Sequence, residues 1–247
     1  MGLAASTVAP AAAQSRFELI TAPIPPLAMD DASQPGFLVD LILDLSEHVH
    51  KVRPDFQLDP TVAVLPWKRA IRTAEVRPFK LFAPAARTPE REQKFVWISP
   101  LLKIDFAFAT IGKPINSFEE AMALDTVAVY GGSAHEDTLI KKGFSNLVPA
   151  SAATNARKLA AGRVDAWYST IPEALWQWKI LDLDPTVVTG KPIFSRLPWL
   201  VGTKDFPRDL VPVFRQQMKH IVADGTYERL YIAYFGRPPP PVSFPAD

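Results

Sequence analysis

Strand-like and helix-like segments alternate along this chain of 247 residues, and the alternation constrains the fold more than any single residue does. Segment 16–22, RFELITA, has the composition of a strand, and segment 36–49, GFLVDLILDLSEHV, places apolar side chains on one helical face. The same order recurs downstream, with strand-like segments at 59–66, 79–86, 101–110, 125–132, 163–170 and 185–190. The pattern predicts a mixed α/β protein.

The segments form two units, and the end of the chain returns to the first unit. Residues 16–108 form a first unit rich in βα pairs, and residues 109–197 form a second unit. Residues 198–236 hold one strand-like and two helical stretches, which we interpret as a return to the first unit. Residues 237–247 are rich in proline and are expected to form an extended tail outside the core.

The composition excludes several classes of partner and chemistry. The chain has 27 Lys and Arg against 26 Asp and Glu, a formal charge of +1, and no run of like charges, so nothing supports a nucleic-acid surface or a polybasic membrane patch. The absence of cysteine removes disulfides, thiolate catalysis and cysteine-based zinc sites. We expect a small-molecule or protein partner, no cofactor and no metal site.

The first 15 residues have the small, apolar character of the end of a secretory signal. Ala11, Ala12 and Ala13 precede Gln14 and fit a small-residue cleavage pattern, although a positive segment and a full apolar segment are missing. Two interpretations stay open for residues 1–15: the remnant of a signal peptide, or a disordered alanine-rich tail. The first favours export to a bacterial periplasm.

Five segments, in their order and spacing, resemble a known family. They are PIPPLAMDDASQPGFLVDLILDL, RTPEREQKFVWISPLL, GKPINSFEEAMALDTVAVYGGSAHE, LAAGRVDAWYS and PRDLVPVFRQQMKHIVADGTYERLYIAYFG. Together they resemble the bacterial extracellular solute-binding proteins of the polar-amino-acid type, which serve ABC importers. The resemblance implies a two-lobe α/β periplasmic-binding-protein fold, with two crossover strands and a ligand cleft between the lobes. It also implies a monomer that delivers its ligand to an importer permease.

Arg91 is the first candidate ligand-binding residue. Thr88 and Pro89 predict the start of a helix, and Arg91 then falls in the first turn, where the helix dipole disfavours a cation and favours an anion beside it. The resemblance implies that Arg91 makes two hydrogen bonds to the carboxylate of the ligand, which suits a planar guanidinium. The alternative is that Arg91 pairs with Glu90 or Glu92 on a solvated face.

Four further positions follow from the resemblance. In GGSAHE, Ser133 and the amide of Ala134 match a loop that receives the same anion, although Ser133 also fits a simple helix cap. Ala86 stands where many members have a hydroxyl for the ligand carboxylate. Ile24 stands where an aromatic platform is common.

Thr170 departs most from the family pattern. It occupies the position of an aspartate that binds the α-ammonium group of an amino acid, and a threonine cannot neutralise an ammonium. A buried cation without a counter-charge costs several kcal/mol, more than one neutral hydrogen bond of about 1 kcal/mol recovers. We therefore expect a carboxylate or another anionic or polar metabolite without an amino group.

Trp67 is a candidate from its place in the pattern alone. It follows a predicted strand, at the edge where open α/β sheets bind ligands, and it can stack on a cyclic or apolar ligand. The alternative is that its ring lies in the core of the first unit.

Enzymatic motifs are absent from the sequence. The four histidines are scattered, and no G-x-S-x-G, H-E-x-x-H or phosphate-binding loop is present, so we assign no catalytic residue. The resemblance offers two alternatives to transport. A few proteins of this fold are cyclohexadienyl dehydratases, for which Glu173 would be the acid, and others are ligand-binding domains of sensors, which need an attached membrane helix that this sequence does not show.

Overall fold

The computed structural model describes residues 15–240 of the chain. The predicted signal remnant or tail at residues 1–15 lies outside this range except for Ser15, and so do residues 241–247 of the proline-rich tail. Residues 237–240 belong to no helix or strand. None of the described helices combines the length and the hydropathy that a membrane span needs.

The first lobe is built on a mixed five-stranded sheet with the order β2-β1-β3-β11-β4. Strand β1 lies parallel to β2 and β3, whereas β11 runs antiparallel to β3 and β4. The strands are β1 (Ser15–Thr21), β2 (Phe56–Val64), β3 (Lys80–Ala85), β4 (Val96–Pro100) and β11 (Trp199–Gly202). Because β11 comes from the return segment, the chain leaves this lobe after β4 and comes back to complete the sheet.

The second lobe is built on a six-stranded sheet. Its order is β10-β5-β8-β6-β7, with β9 paired to β5, and the β6 pairs are parallel whereas the β5 pairs are antiparallel. The strands are β5 (Ile104–Ile111), β6 (Val127–Tyr130), β7 (Leu147–Ala150), β8 (Ala166–Thr170), β9 (Val187–Thr189) and β10 (Phe194–Arg196). The whole of β5 belongs to this sheet, so the chain crosses between lobes before residue 104 and again after residue 196.

The described part of the chain contains eight α-helices. They are α1 (Phe37–Val52), α2 (Trp67–Val76), α3 (Phe118–Met122), α4 (Ala134–Lys141), α5 (Ala152–Ala160), α6 (Ile171–Ile180), α7 (Leu210–Ala223) and α8 (Thr226–Phe235). Helices α1, α7 and α8 pack on one another, because the apolar face read from the α1 sequence meets the aromatic residues of α8. The ring of Phe37 lies against those of Tyr227, Tyr231, Tyr234 and Phe235.

The loop before α1 passes close to the start of that helix, and this requires Gly36. The residue has φ +107°, and a Cβ there would lie 2.6 Å from the carbonyl oxygen of Leu27 and 2.7 Å from the Cα of Ala28. Backbone hydrogen bonds from Phe37 and Leu38 to Pro26 and Leu27 fix the same loop. The loop is thereby held at the edge of the space between the lobes.

The structure differs from the sequence prediction at the RTPER segment. Pro89–Arg91 form a single 3₁₀ turn, and the side chain of Thr88 makes no capping hydrogen bond. The predicted helix at this point is therefore wrong, and the argument that its dipole attracts an anion is wrong with it, because one 3₁₀ turn does not build a macrodipole.

Candidate functional site

A cleft of about 1180 Å³ lies between the two sheets. One side comes from the first lobe, with the loop before α1, the start of α2 and the end of β3, and the other from β5, α4, α6 and β10 of the second lobe. Five of the seven candidate ligand-binding residues line it: Ile24, Trp67, Ala86, Arg91 and Thr170. Ser133 and Ala134 do not line it, although the next residue, His135, does.

Arg91 is half-buried on the first-lobe side of the cleft. Its Nη1 donates a hydrogen bond of 3.3 Å to the carbonyl oxygen of Ala86, and it forms no ion pair within 4 Å among residues 15–240. Glu92, one of its proposed partners, binds Arg87 instead. The pKa of Glu90 is lowered chiefly by hydrogen bonds with its own amide and Thr88, and only weakly by Arg91. The guanidinium of Arg91 thus keeps most of its donors available to the cleft.

Arg87 lies beside Arg91 but is neutralised. Two hydrogen bonds join its guanidinium to the carboxylate of Glu92. The same guanidinium lies 5.2 Å from the ring centroid of Trp97 and 5.0 Å from that of Trp199, within the range of cation–π attraction. Lys94 is likewise paired, with Glu75 at 2.9 Å. Of the three cations that line this side, Arg91 is therefore the one without a carboxylate partner in the described chain.

An apolar wall accompanies Arg91. The side chain of Trp67 is partly exposed, its ring centroid lies 5.7 Å from that of Phe82, and it lines the cleft as the first residue of α2. Ile24 is held by a backbone bridge to Ala28, and the adjoining prolines and Leu27 continue the surface. A ligand with a carboxylate at Arg91 would place its apolar portion against this wall.

Thr170 and Glu173 line the second-lobe side at the start of α6. The side chain of Thr170 caps that helix, because its Oγ1 accepts a hydrogen bond of 3.2 Å from the amide of Glu173. The carboxyl of Glu173 is largely buried and accepts a hydrogen bond from the hydroxyl of Ser169. Burial raises the pKa of Glu173 above its usual value, against the smaller opposing effect of Ser169. Protonation is therefore easier at this carboxyl than at an exposed one.

Ser133 caps α4 as its sequence suggests. Its Oγ accepts hydrogen bonds from the amides of His135 and Glu136 and donates one to the carbonyl oxygen of Tyr130. The carboxylate of Glu136 accepts a hydrogen bond from the amide of Gly132, an arrangement close to a capping box. The cap brings His135 to the cleft, while Ala134 is exposed.

A group of residues on the second-lobe side was not identified from the sequence. The rings of Phe106 and Phe194 stack at 4.1 Å, and the guanidinium of Arg196 lies 5.9 and 5.8 Å from their centroids. His135 meets Phe106 edge to face at 5.2 Å. Burial and, to a smaller extent, Arg196 lower the pKa of His135, so its imidazole is favoured in the neutral form.

Arg196 is the second cation of the cleft. It lies on β10, beside the crossover, and forms no ion pair within 4 Å among the residues described, so its charge faces the cleft and the solvent. No local motif in the sequence points to Arg196, because its position depends on the pairing of β10 with β5, in which it lies opposite Ile104. The cleft thus offers a guanidinium on either side.

Known structures share this architecture. An ancestral cationic amino acid solute-binding protein matches with a TM-score of 0.70 and 21% identity over 90% of this chain and 96% of its own. The L-cystine solute receptor of Neisseria gonorrhoeae, in its unliganded open conformation, matches with a TM-score of 0.71 and 17% identity over 92% and 95%.

The chain has the two-lobe fold of periplasmic solute-binding proteins. A histidine kinase sensor domain similar to periplasmic binding proteins also matches, with a TM-score of 0.61 and 16% identity over 92% of this chain and 99% of the other. No protein-family model and no functionally curated protein matches the sequence. The predicted α/β fold and the resemblance to amino-acid solute-binding proteins are confirmed at the level of the fold.

Proposed function

We propose that the cleft binds a small carboxylate-bearing or polar metabolite that lacks an α-ammonium group, and that the protein delivers it to an ABC importer. The observation that supports this most is the placement of Arg91 and Arg196 on the two sides of one cleft, without a carboxylate partner for either in the described chain. A charged ligand that satisfies both guanidiniums would draw the lobes together, since it makes contacts in the closed state that the open state lacks.

The second-lobe side of the cleft offers little to an ammonium group. Thr170 is neutral, and its oxygen already accepts the hydrogen bond that caps α6. Glu173 is the nearest carboxyl along the helix, and burial favours its protonated form. An ammonium group brought there would lose its hydration without gaining a full negative partner. This is why we favour acids over zwitterionic amino acids.

Delivery to an importer rests on the fold rather than on the cleft. Solute-binding proteins and at least one sensor domain share the architecture, so ligand binding alone does not separate transport from sensing. For transport we propose an exported monomer. Loss of high-affinity uptake of the bound acid on deletion of the gene would support delivery, and unchanged uptake would contradict it.

A binding screen tests the ligand class. We expect purified, tag-free protein to show a higher unfolding temperature with small mono- and dicarboxylates than with the matching amino acids, because a ligand that binds only the folded state stabilises it. Arg196→Ala should weaken binding of the best acid and lower the midpoint of unliganded unfolding only slightly, because its guanidinium also contacts the rings of Phe106 and Phe194. Arg215→Ala is not a suitable control, because the Arg215 guanidinium binds the carbonyl oxygen of Ile98. Arg16→Ala, at an exposed pair with Asp59, is the matched control. Preferential binding of amino acids would contradict the proposal.

A dehydratase is the second candidate, and Glu173 is the observation that favours it. A carboxyl whose pKa is raised by burial, and which lines a ligand cleft, has the properties of a general acid. Turnover of a cyclohexadienyl acid by the wild type, with loss of turnover in Glu173→Gln but retention of binding, would establish catalysis. Binding without turnover would exclude the dehydratase and support a binding protein.

A further inference from the structure

Two histidines and an aspartate meet on the outer surface of the first lobe, away from the cleft. His48 belongs to α1, His220 to the last turn of α7, and Asp224 follows α7 directly. One donor atom from each lies within 4.8 Å of the other two. The rings of His48 and His220 are 5.9 Å apart, and none of the three residues lines the cleft.

Two of the three side chains are oriented by hydrogen bonds to backbone groups outside the cluster. Nδ1 of His48 donates a hydrogen bond of 2.9 Å to the carbonyl oxygen of Asp44, so Nε2 is the ring nitrogen that remains for a metal ion. Oδ1 of Asp224 accepts a hydrogen bond of 2.9 Å from the amide of Thr226. A ring N–H bound to a carbonyl and a carboxylate bound to an amide are the outer contacts typical of metal ligands.

The remaining carboxylate oxygen faces the second imidazole. Oδ2 of Asp224 lies 3.9 Å from Nε2 of His220, whose side chain is 61% exposed and can rotate. Arg229 reaches the backbone oxygen of Asp224 and the hydroxyl of Thr226, and neither bond uses Oδ2. The donors therefore need only a small closure, through His220, to reach metal–ligand bonds of about 2.0 to 2.2 Å.

Charged groups of both signs lie near the three side chains. Asp44 belongs to α1, close to the carboxyl groups of Glu47 and Asp40, and Arg229 of α8 is a nearby cation. The proposal therefore rests on the placement of the three donor atoms and not on the surrounding charge.

We propose that His48, His220 and Asp224 form a binding site for one divalent transition-metal ion of the Zn²⁺ type. Two imidazoles and one carboxylate suit borderline ions such as Zn²⁺, Co²⁺ and Ni²⁺, whereas Mg²⁺ and Ca²⁺ prefer oxygen ligands. The expectation of no metal site followed from histidines scattered along the sequence, and it did not include a ligand from the return segment.

The bound ion would join the two parts of the chain that build the first lobe. Helix α1 belongs to the first segment and α7 to the return segment, and the two pack on each other in the core. A ligand that binds only the folded state raises the free energy of unfolding by mass action. The ion would therefore stabilise the lobe without taking part in the chemistry of the cleft.

Calorimetric titration of tag-free protein with ZnCl₂, together with thermal unfolding, tests the site. We expect one ion per chain, a higher unfolding midpoint with Zn²⁺, and no such effect of Mg²⁺ or Ca²⁺. His48→Ala and His220→Ala should each weaken binding at least about tenfold, since each removes one of three ligands. His50→Ala is the matched control, because His50 lies on the same helix with Nδ1 2.7 Å from the carbonyl oxygen of Phe56, yet belongs to no such cluster.

The outcomes separate the proposal from its alternatives. Absence of Zn²⁺ binding, equal binding by all the variants, or loss of binding in His50→Ala would overturn it. If His48→Ala unfolds in metal-free buffer, His220→Ala and Asp224→Asn provide the test, because His220 is exposed and Asp224→Asn is a conservative change. Co²⁺ absorption then measures metal ligation directly. Retained binding in both of those variants would likewise overturn the site.

Discussion

Arg87 and Glu92 are joined by two hydrogen bonds, from Nε to Oε2 at 2.9 Å and from Nη2 to Oε1 at 2.5 Å. This pair occupies the carboxylate that would otherwise be available to Arg91, four residues further along the chain from Arg87. The consequence is functional, because a neutralised arginine stands next to one whose donors face the cleft. Mutations of Arg87 and Arg91 should therefore have different effects on ligand binding.

Arg91→Ala should weaken binding of the preferred acid by roughly 10- to 100-fold, because a hydrogen bond to a charged group contributes about 1.5 to 3 kcal/mol. Arg91→Lys should be nearly as weak, since an ammonium does not reproduce the two-point contact. Titration calorimetry measures both, with Arg16→Ala as a remote control. Equal affinities of the wild type and Arg91→Ala would rule out the assigned role.

Thr170→Asp should shift preference from acids toward amino acids, because a new carboxylate attracts an ammonium and repels an anion. Both Asp and Asn are good helix caps, so either should preserve the start of α6 at the amide of Glu173. Thr170→Asn is therefore the matched neutral control and should keep the preference for acids. If wild-type protein binds an unmodified amino acid tightly and Thr170→Asp loses that binding, the ammonium is recognised elsewhere.

Glu173→Gln should stabilise the protein at neutral pH. The raised pKa of Glu173 means that its contribution to stability is complete below the usual value of 4.5 and is lost as pH rises through the folded-state pKa. Glutamine keeps an acceptor for Ser169 and removes the charge. Urea unfolding at pH 4 and pH 7 should show a gain that grows with pH, and a loss of stability at pH 7 would contradict the assignment.

Glu119→Gln is the control for Glu173→Gln, because the pKa of Glu119 is shifted in the opposite direction. Its pKa is lowered by hydrogen bonds with its own amide and with Ser117, so its contribution is present above the usual pKa and is lost as pH falls. Glu119→Gln should thus lower stability at neutral pH and converge with the wild type in acid.

Gly36→Ala should cost roughly 2 kcal/mol or more, because a Cβ would meet the backbone of Leu27 and Ala28 at a positive φ. Gly132→Ala is the matched control: its φ is +68°, but a Cβ there would meet nothing within 4 Å, so only the backbone strain of about 1 kcal/mol remains. Denaturant unfolding measures the difference. Equal costs at the two positions would show that the close approach is not what requires the glycine at 36.

The sequence predicts the elements whose signals are local and strong. The periodic apolar face of α1 and the Ser133 cap of α4 both occur as expected. The RTPER segment fails because Thr followed by Pro begins an α-helix and a 3₁₀ turn equally well, and the chain after Arg91 turns into β4. Local signals do not separate the two.

The candidate site is harder to predict from the sequence than the fold is. Arg196, Phe106 and His135 come together only because β10 pairs with β5 and α4 begins opposite them. Strand β10 has three residues, too few for a periodic pattern to show. Positions within one motif could be predicted, whereas neighbours across strands depend on a register that the sequence does not display.

The insertion of β11 between β3 and β4 also fixes an order of events during synthesis. All strands of the second sheet lie within residues 104–196, so that lobe can form as soon as this stretch has emerged. Strand β4 is synthesised earlier, but its one partner in the described sheet is β11, and its hydrogen bonds must wait until residues 199–202 arrive. The nascent first lobe therefore exposes an unpaired strand edge while the second lobe folds, and a chain that stops short of β11 presents that edge to other chains as a point of aggregation.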